Sequence, residues 1–93
     1  MRSELKHALG KVLKSYRLKR NFSQESLGPS QAYISNLERG RWSPSIDKIE
    51  QMSNAIGVHP ASVILAGYLS LGDGASTDEL LERIRGELEE LGL

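Results

Sequence analysis

The stretch that decides the fold is SQAYISNLERG, residues 30–40, which is followed by RWSPS at residues 41–45. It begins with Ser30, a residue type that caps the N-terminal end of helices, and ends with Gly40, which readily adopts the left-handed conformation that stops many helices. Ile34 and Leu37 lie three residues apart and mark one apolar face. The stretch therefore predicts a short helix with a serine cap and a glycine stop.

The outward positions of this helix carry side chains that suit nucleic acid. Two amides, a methyl group, a hydroxyl and a cation occur together at Gln31, Ala32, Ser35, Asn36 and Arg39. Glutamine and asparagine can pair with adenine in the major groove of DNA, a methyl group can contact thymine, and arginine can neutralise a phosphate. The helix is therefore a candidate for insertion into the major groove.

The charges of the chain are unevenly distributed although they sum to zero over its 93 residues. Residues 1–42 hold nine lysines and arginines against three acidic residues, a balance of +6, whereas residues 43–75 and 76–93 carry −2 and −4. This asymmetry indicates an N-terminal part that faces a polyanion and an acidic tail. A solvated basic helix face gives the same count, so charge alone leaves both interpretations open.

The composition argues against several classes of protein. The absence of cysteine excludes disulfide scaffolds and thiolate metal sites and suits a reducing compartment. No apolar run approaches the ~18 residues of a membrane span, and residues 1–10 carry charges among their apolar positions, unlike a signal peptide. His7 and His59 are far apart, and no phosphate-binding loop or nucleophile motif occurs. We therefore expect that the protein is not an enzyme, binds no metal or cofactor and does not associate with a membrane. We also expect it to be cytoplasmic and associated with the nucleoid.

The rest of the chain predicts an all-α fold of six helical segments, because no alternating strand pattern occurs. The first segment ends at Asn21. The second begins at Ser23, whose hydroxyl can cap it, and is cut short by Gly28 and Pro29. The stretch described above is the third. The fourth begins after Ser45 and ends at Gly57, and the fifth has Pro60 in its first turn with His59 at the cap position. The apolar stripes of the first and fourth segments are Leu5, Leu9, Val12, Leu13 and Tyr16, and Ile46, Ile49, Met52 and Ile56.

Residues 70–76 are predicted to be a linker to an acidic amphipathic helix over residues 77–93, which Ser76 and Glu79 begin as a capping box. The leucines and isoleucine of this last helix follow an a/d spacing. The fifth segment is apolar nearly all round, so it must be covered on more than one side. We expect dimerisation or packing through Val63, Ile64, Tyr68, Leu81, Ile84, Leu88 and Leu91. Packing within one chain is the alternative.

Residues 10–57 resemble the lambda-repressor-like, Cro/repressor-type (Xre family) helix-turn-helix proteins. The resemblance is carried by Gly10-x-x-Leu13-Lys14-x-x-Arg17, Phe22-Ser23-Gln24-Glu25, residues 30–40, Ser43-Pro44-Ser45-Ile46 and Ala55-Ile56-Gly57-Val58. It implies a five-helix DNA-binding domain over residues 1–69. One departure is that residues 26–32 are about one helical turn shorter than in the family. The second helix is therefore expected to be truncated, with Leu27 as its only apolar anchor.

The resemblance also implies roles for single residues. Base contacts fall to Gln31, Ala32, Ser35 and Asn36, and phosphate contacts to Ser23, Gln24, Arg39, Arg41 and Trp42. Gln31 could instead be a solvated first-turn residue, and Tyr33 is open between DNA contact and packing. Trp42 is expected to be partly buried with one edge available. Arg17 and Glu38 are expected to form a structural pair that joins the first helix to the third.

These observations predict a sequence-specific regulator of transcription, a repressor that binds double-stranded DNA as a homodimer on a near-palindromic operator. The alternative is an antitoxin or another protein-interaction partner that uses the acidic C-terminal helix and the apolar fifth segment to bind a second protein. The two classes overlap, because antitoxins that resemble this family often bind DNA as well.

Overall fold

The computed structural model describes residues 3–72, 74 and 76–93, and over these residues the chain is helical and contains no strand. The α-helices are α1 (Ser3–Lys19), α2 (Gln31–Glu38), α3 (Ile46–Ile56), α4 (Pro60–Ser70) and α5 (Thr77–Glu90), and the 3₁₀ helix Gln24–Leu27 lies between α1 and α2. The predicted all-α class with a truncated second helix is confirmed. Asp73 and Ala75 of the predicted linker, and Met1 and Arg2 of the predicted first domain, lie outside the described residues. No described helix is both long and apolar enough to span a membrane.

Serine side chains set most of the helix beginnings. Ser30, Ser45 and Ser76 each accept a hydrogen bond from the N–H three residues later, at 3.1–3.2 Å. Ser23 precedes the 3₁₀ helix, but its side chain makes no capping hydrogen bond, so the predicted cap is wrong there. The reason is local, because Ser26 donates its own hydroxyl to the Ser23 carbonyl at 2.8 Å and pairs with the Ser23 hydroxyl.

Left-handed residues end three helices at the predicted positions. Asn21 follows α1 with φ +62°, Gly40 follows α2 with φ +76°, and Gly57 follows α3 with φ +90°. After α2, the N–H of Gly40 bonds the Leu37 carbonyl and the N–H of Arg41 bonds the Asn36 carbonyl, both at 3.0 Å. This paired arrangement satisfies the last carbonyls of the helix and fixes the direction in which the chain leaves it.

The core lies where α1 contacts α2, α3 and α4. It consists of Leu9, Val12, Leu13, Leu27, Ile34, Leu37, Ile49, Met52, Ile56 and Val63. Burying each of these side chains contributes roughly 1.5–3 kcal/mol before the loss of conformational entropy is counted. Leu27 is fully buried and so anchors the 3₁₀ helix. Gly10 lets α1 approach α2, because a Cβ there would collide with the Leu37 carbonyl.

Ile46 does not belong to this core, and its predicted inward position is wrong. Its side chain is 72% exposed. The reason is that Ile46 is the first residue of α3, so it lies beyond the core and the buried stripe of this helix begins at Ile49.

The C-terminal half keeps much of its apolar surface in solvent. None of the residues of α5 is buried, and α4 buries only Val63 and Gly67. Tyr68, Leu81, Leu88, Leu91 and Leu93 are all at least 44% exposed. A single chain therefore does not bury all of the apolar surface of α4 and α5.

Candidate nucleic-acid interface

The four side chains predicted to contact bases lie on the side of α2 that the core does not use. Ile34 and Leu37 are buried, whereas Gln31 and Ala32 in the first turn are exposed. Ser35 and Asn36, one turn later, are half-buried. The N-terminal end of α2 therefore presents an amide and a methyl group to solvent.

A buried ion pair joins α1 to α2. Arg17 Nε donates to Glu38 Oε2 at 2.7 Å, and Arg17 Nη2 donates to Glu38 Oε1 at 3.0 Å, while its Nη1 donates to the Phe22 carbonyl at 3.0 Å. The two side chains are only 10% and 4% exposed. The hydrogen bond to Glu38 raises the pKa of Arg17 above its ordinary value, so the guanidinium stays charged. The planar guanidinium meets the carboxylate at two points, which fixes direction as well as distance.

Two glutamines extend this pair to the exposed end of α2. Gln24 Nε2 donates to Glu38 Oε1 at 3.0 Å, and Gln31 Nε2 donates to Gln24 Oε1 at 2.6 Å. The second N–H and the carbonyl oxygen of Gln31 make no hydrogen bond to the part of the chain described. One donor beside one acceptor is the pattern that pairs with the N7 and N6 of adenine. Gln31 is thus oriented by Gln24, and its second N–H and its carbonyl oxygen stay available to a ligand.

A polar groove of about 260 Å³ opens beside these glutamines. Lys14 and Arg39 contribute cations to its walls, and its other lining residues are Arg17, Gln24, Gln31, Ser35 and Glu38. Arg17 neutralises Glu38, so Lys14 and Arg39 give the groove a positive excess that suits a phosphate. The resemblance to the family does not assign Lys14 to this site. The only signal in the sequence was its position three residues before Arg17, which places both on one helix face.

The remaining predicted contacts are divided between the end of α2 with the loop after it and the start of the 3₁₀ helix. Arg41 Nη1 donates to Asn36 Oδ1 at 3.3 Å, and Asn36 Nδ2 donates to the Ala32 carbonyl at 2.9 Å. Ser23 and Arg39 are exposed, whereas Gln24 is half-buried within the hydrogen-bonded chain.

Among the described residues, no group of three or more histidine, cysteine, aspartate or glutamate side chains could hold a metal ion.

An aromatic pair joins α2 to the loop that follows it. The rings of Tyr33 and Trp42 lie 5.5 Å apart and are tilted by 49°, and Lys48 Nζ lies 5.6 Å from the centre of the Tyr33 ring. Tyr33 is half-buried, and this burial raises the pKa of its hydroxyl. Trp42 is 46% exposed, so it is partly buried with part of its ring available. Tyr33 therefore packs against the loop after α2, and a contact with DNA stays a prediction.

Known proteins with similar sequences belong to the class that this geometry suggests. Residues 13–63 match the helix-turn-helix family. The chain is 36% identical over 69 residues to control protein C.BamHI of Bacillus amyloliquefaciens, covering 69% of this chain and 85% of the relative. It is 32% identical over 66 residues to a hypothetical transcription factor of Neisseria meningitidis, covering 67% of this chain and 62% of that protein.

Solved structures agree with the sequence comparison. A crystal structure of the clp gene regulator ClgR from Corynebacterium glutamicum superposes with a TM-score of 0.68 at 30% identity, over 74% of this chain and 95% of that one. A second structure of ClgR superposes with a TM-score of 0.66 at 26% identity, over 94% of this chain and 88% of that one. The chain therefore belongs to the Cro/repressor-type (Xre) family of helix-turn-helix, DNA-binding transcription regulators.

Proposed function

We propose that this regulator is a repressor that binds a near-palindromic operator as a homodimer and inserts the N-terminal end of α2 into the major groove. The observation that carries the proposal is the hydrogen-bonded chain from Arg17 and Glu38 through Gln24 to Gln31. It fixes an adenine-reading amide at the exposed end of a helix. The relatives are named as a control protein, a transcription factor and a gene regulator, which supports a role in transcription.

Base reading in this proposal centres on the first turn of α2. Gln31 pairs with adenine through its free N–H and carbonyl, which is worth roughly 1–3 kcal/mol of discrimination against the wrong base. Ala32, exposed beside it, contacts a thymine methyl group. Ser35, one turn further along the helix, lines the polar groove and adds a hydroxyl that can bond either a base or a phosphate.

Phosphate contacts hold the helix in the groove. Arg39 and Lys14 flank the polar groove and take one strand of the DNA backbone there. Arg41 and the exposed part of Trp42 contact the backbone from the loop after α2, and Ser23 and Gln24 contact it from the start of the 3₁₀ helix. These contacts carry no sequence information, but they set the register of the protein on the duplex.

Dimerisation in this proposal uses the C-terminal helices. An open groove of about 500 Å³ lies between α4 and α5, and Ile64, Tyr68 and Ile84 are among its lining residues. Leu81, Leu88 and Leu91 continue the exposed apolar surface along α5. A soluble chain rarely leaves such a continuous surface uncovered. A second copy, related by a two-fold axis, covers it and places two α2 helices about 34–36 Å apart on one face of the DNA.

The test of this proposal is selection of bound sequences from a random duplex pool by the parent protein and by Gln31→Ala. The parent should enrich a two-fold symmetric motif, and Gln31→Ala should lose preference at one adenine-containing position in each half-site. Lys11→Ala, which removes a lysine from the groove between α1 and α4, is the matched control and should enrich the parent motif. Failure of the parent to enrich any motif contradicts the proposal.

The repressor role has its own test. A reporter promoter with the selected motif placed over the polymerase-binding region should fall in activity when the parent protein is expressed. It should recover with Gln31→Ala. A rise in activity with the parent protein shows an activator instead.

A second candidate function is an antitoxin or other protein-interaction partner. The observation that favours it is the combination of six acidic side chains on α5 with an apolar surface that the chain itself leaves open. In that case the α4–α5 surface binds a different protein. Purification of the chain at its native expression level would recover a second protein in fixed stoichiometry, and the dimer of this chain would be absent.

A further inference from the structure

Asn36 is engaged within the chain in a way that Gln31 is not. Its Nδ2 donates to the Ala32 carbonyl one turn back along α2 at 2.9 Å, and its Oδ1 accepts from Arg41 Nη1 at 3.3 Å. The carbonyl that would accept from adenine therefore faces a guanidinium. The Gln31 carbonyl, in contrast, makes no hydrogen bond to the described part of the chain, and Gln31 is exposed where Asn36 is half-buried.

Arg41 is held at three points, and Asn36 supplies two of them. The N–H of Arg41 bonds the Asn36 backbone carbonyl at 3.0 Å, and its guanidinium bonds the Asn36 side chain. Lys6 Nζ lies 3.5 Å from the Arg41 carbonyl. The preceding residue, Gly40, has φ +76°, and a Cβ there would collide with the ring of His7. Contacts with the end of α2 and with the beginning of α1 thus fix the position of the Arg41 backbone.

A guanidinium has five N–H groups, and the bond to Asn36 uses one of them. The remaining groups of Arg41, which is an exposed residue, can bond the two oxygens of a phosphate in parallel. Such a contact depends on the direction of the guanidinium plane, which a bond to a fixed amide controls.

We propose that Asn36 is a positioning residue that orients Arg41 onto a DNA phosphate and reads no base. The inference rests on the proposed function, because it assumes that α2 and the loop after it lie against DNA. It assigns Asn36 a different role from the base contact that the resemblance to the family implies. Its consequence is that loss of Asn36 weakens binding to all sequences alike and acts only through Arg41.

The test compares Asn36→Ala, Arg41→Ala and the double variant on the selected operator, on its single-base-pair variants and on unselected DNA, at several salt concentrations. Asn36→Ala should weaken binding to every duplex by a similar factor, on the order of tenfold, as expected when a charge-assisted hydrogen bond is lost. The slope of log affinity against log salt should fall by about one for both single variants. The double variant should match Arg41→Ala, since the two residues act as one unit.

Gln31→Ala is the reference for a base-reading residue, and Lys11→Ala is the control for removal of a positive charge. Gln31→Ala should change preference at one position with an unchanged slope, and thermal melting checks that every variant is folded. Asn36→Ala overturns the inference if it relaxes one base position, keeps the parent slope and adds its effect to that of Arg41→Ala. A parent protein without sequence preference contradicts the proposed function instead. Even then, unequal slopes of Asn36→Ala and Arg41→Ala on unselected DNA overturn the inference separately.

Discussion

At the scale of the residue, one carboxylate organises the surface that we assign to DNA. Glu38 accepts hydrogen bonds from Arg17 on α1 and from Gln24 on the 3₁₀ helix. Gln24 in turn holds Gln31 at the exposed end of α2. A buried ion pair is weak evidence for net stability, because desolvation offsets much of its attraction, but it fixes geometry. Its position between three elements indicates that orientation is its main contribution here.

Glu38→Ala is expected to affect both stability and DNA binding. It leaves the Arg17 guanidinium buried without a counter-charge, which costs about 3 kcal/mol in comparable cases. It also removes the acceptor of Gln24, so Gln31 is no longer held and both affinity and base preference should fall. Denaturant unfolding and binding titrations measure the two effects. Glu50→Ala, which removes an exposed carboxylate from α3, is the control. A Glu38→Ala protein that melts and binds DNA like the parent contradicts this structural assignment.

Single-residue roles could be predicted only in part. The Arg17 and Glu38 pair could be expected from the resemblance, and the structure contains it. The bond between Gln24 and Gln31 could not, because it depends on how the shortened helix turns the chain between them. Lys14 was missed for a similar reason, since the groove that it lines forms only when α1 and α2 meet. The roles of these residues in DNA binding stay predictions.

At the scale of the element, caps and stops determine where each helix begins and ends. Ser30 satisfies the N–H of Tyr33 in the first turn of α2, the turn that carries Gln31 and Ala32. Ser23 occupies the equivalent position before the 3₁₀ helix, yet its side chain makes no capping bond. The two serines can therefore be compared directly, because Ser30 makes a capping hydrogen bond and Ser23 does not.

Ser30→Ala should destabilise the protein by about 1 kcal/mol, the usual cost of losing a serine cap. Ser23→Ala should cost distinctly less, because it removes only the weak bond between the Ser23 and Ser26 hydroxyls. Thermal or denaturant unfolding of both variants measures the difference. Equal losses of stability for the two serines would show that the assignment of caps is wrong.

Helix boundaries were the most predictable part of the fold. Serine, asparagine, glycine and proline act through local backbone geometry, which a sequence displays directly. Ile46 was predicted wrongly, because helical periodicity alone does not say that the first turn of α3 extends past the core. Gly28 and Pro29 predicted that the second helix is truncated. In the structure this helix is a 3₁₀ helix of four residues, Gln24–Leu27.

At the scale of the whole molecule, the N-terminal half of the chain buries most of its apolar side chains, whereas the C-terminal half leaves many of them exposed. Residues from α1 to Val63 build the core, whereas α5 buries none of its residues. The sequence could predict that α4 and α5 need a partner surface. It could not say which surface, because an a/d stripe of two heptads is too short to select its own partner.

Leu88→Glu is expected to convert a dimer into a monomer without unfolding the chain. Leu88 is exposed in the single chain, so a charge there costs little in the fold but opposes an apolar interface. Leu18→Glu places the same charge at an exposed leucine of α1 and is the matched control. Sedimentation velocity at micromolar concentration measures the outcome. A parent protein that sediments as a monomer, both free and on DNA, contradicts dimerisation.

Dimeric reading of the major groove by α2 is tested most directly by hydroxyl-radical footprinting of the parent protein on its selected duplex. A dimer that inserts two α2 helices into successive major grooves predicts two protected segments related by a two-fold axis, with centres about 10–10.5 base pairs apart. Both segments should disappear together with Leu88→Glu. A single protected segment, or protection without a fixed register, would contradict dimeric reading of the major groove by α2.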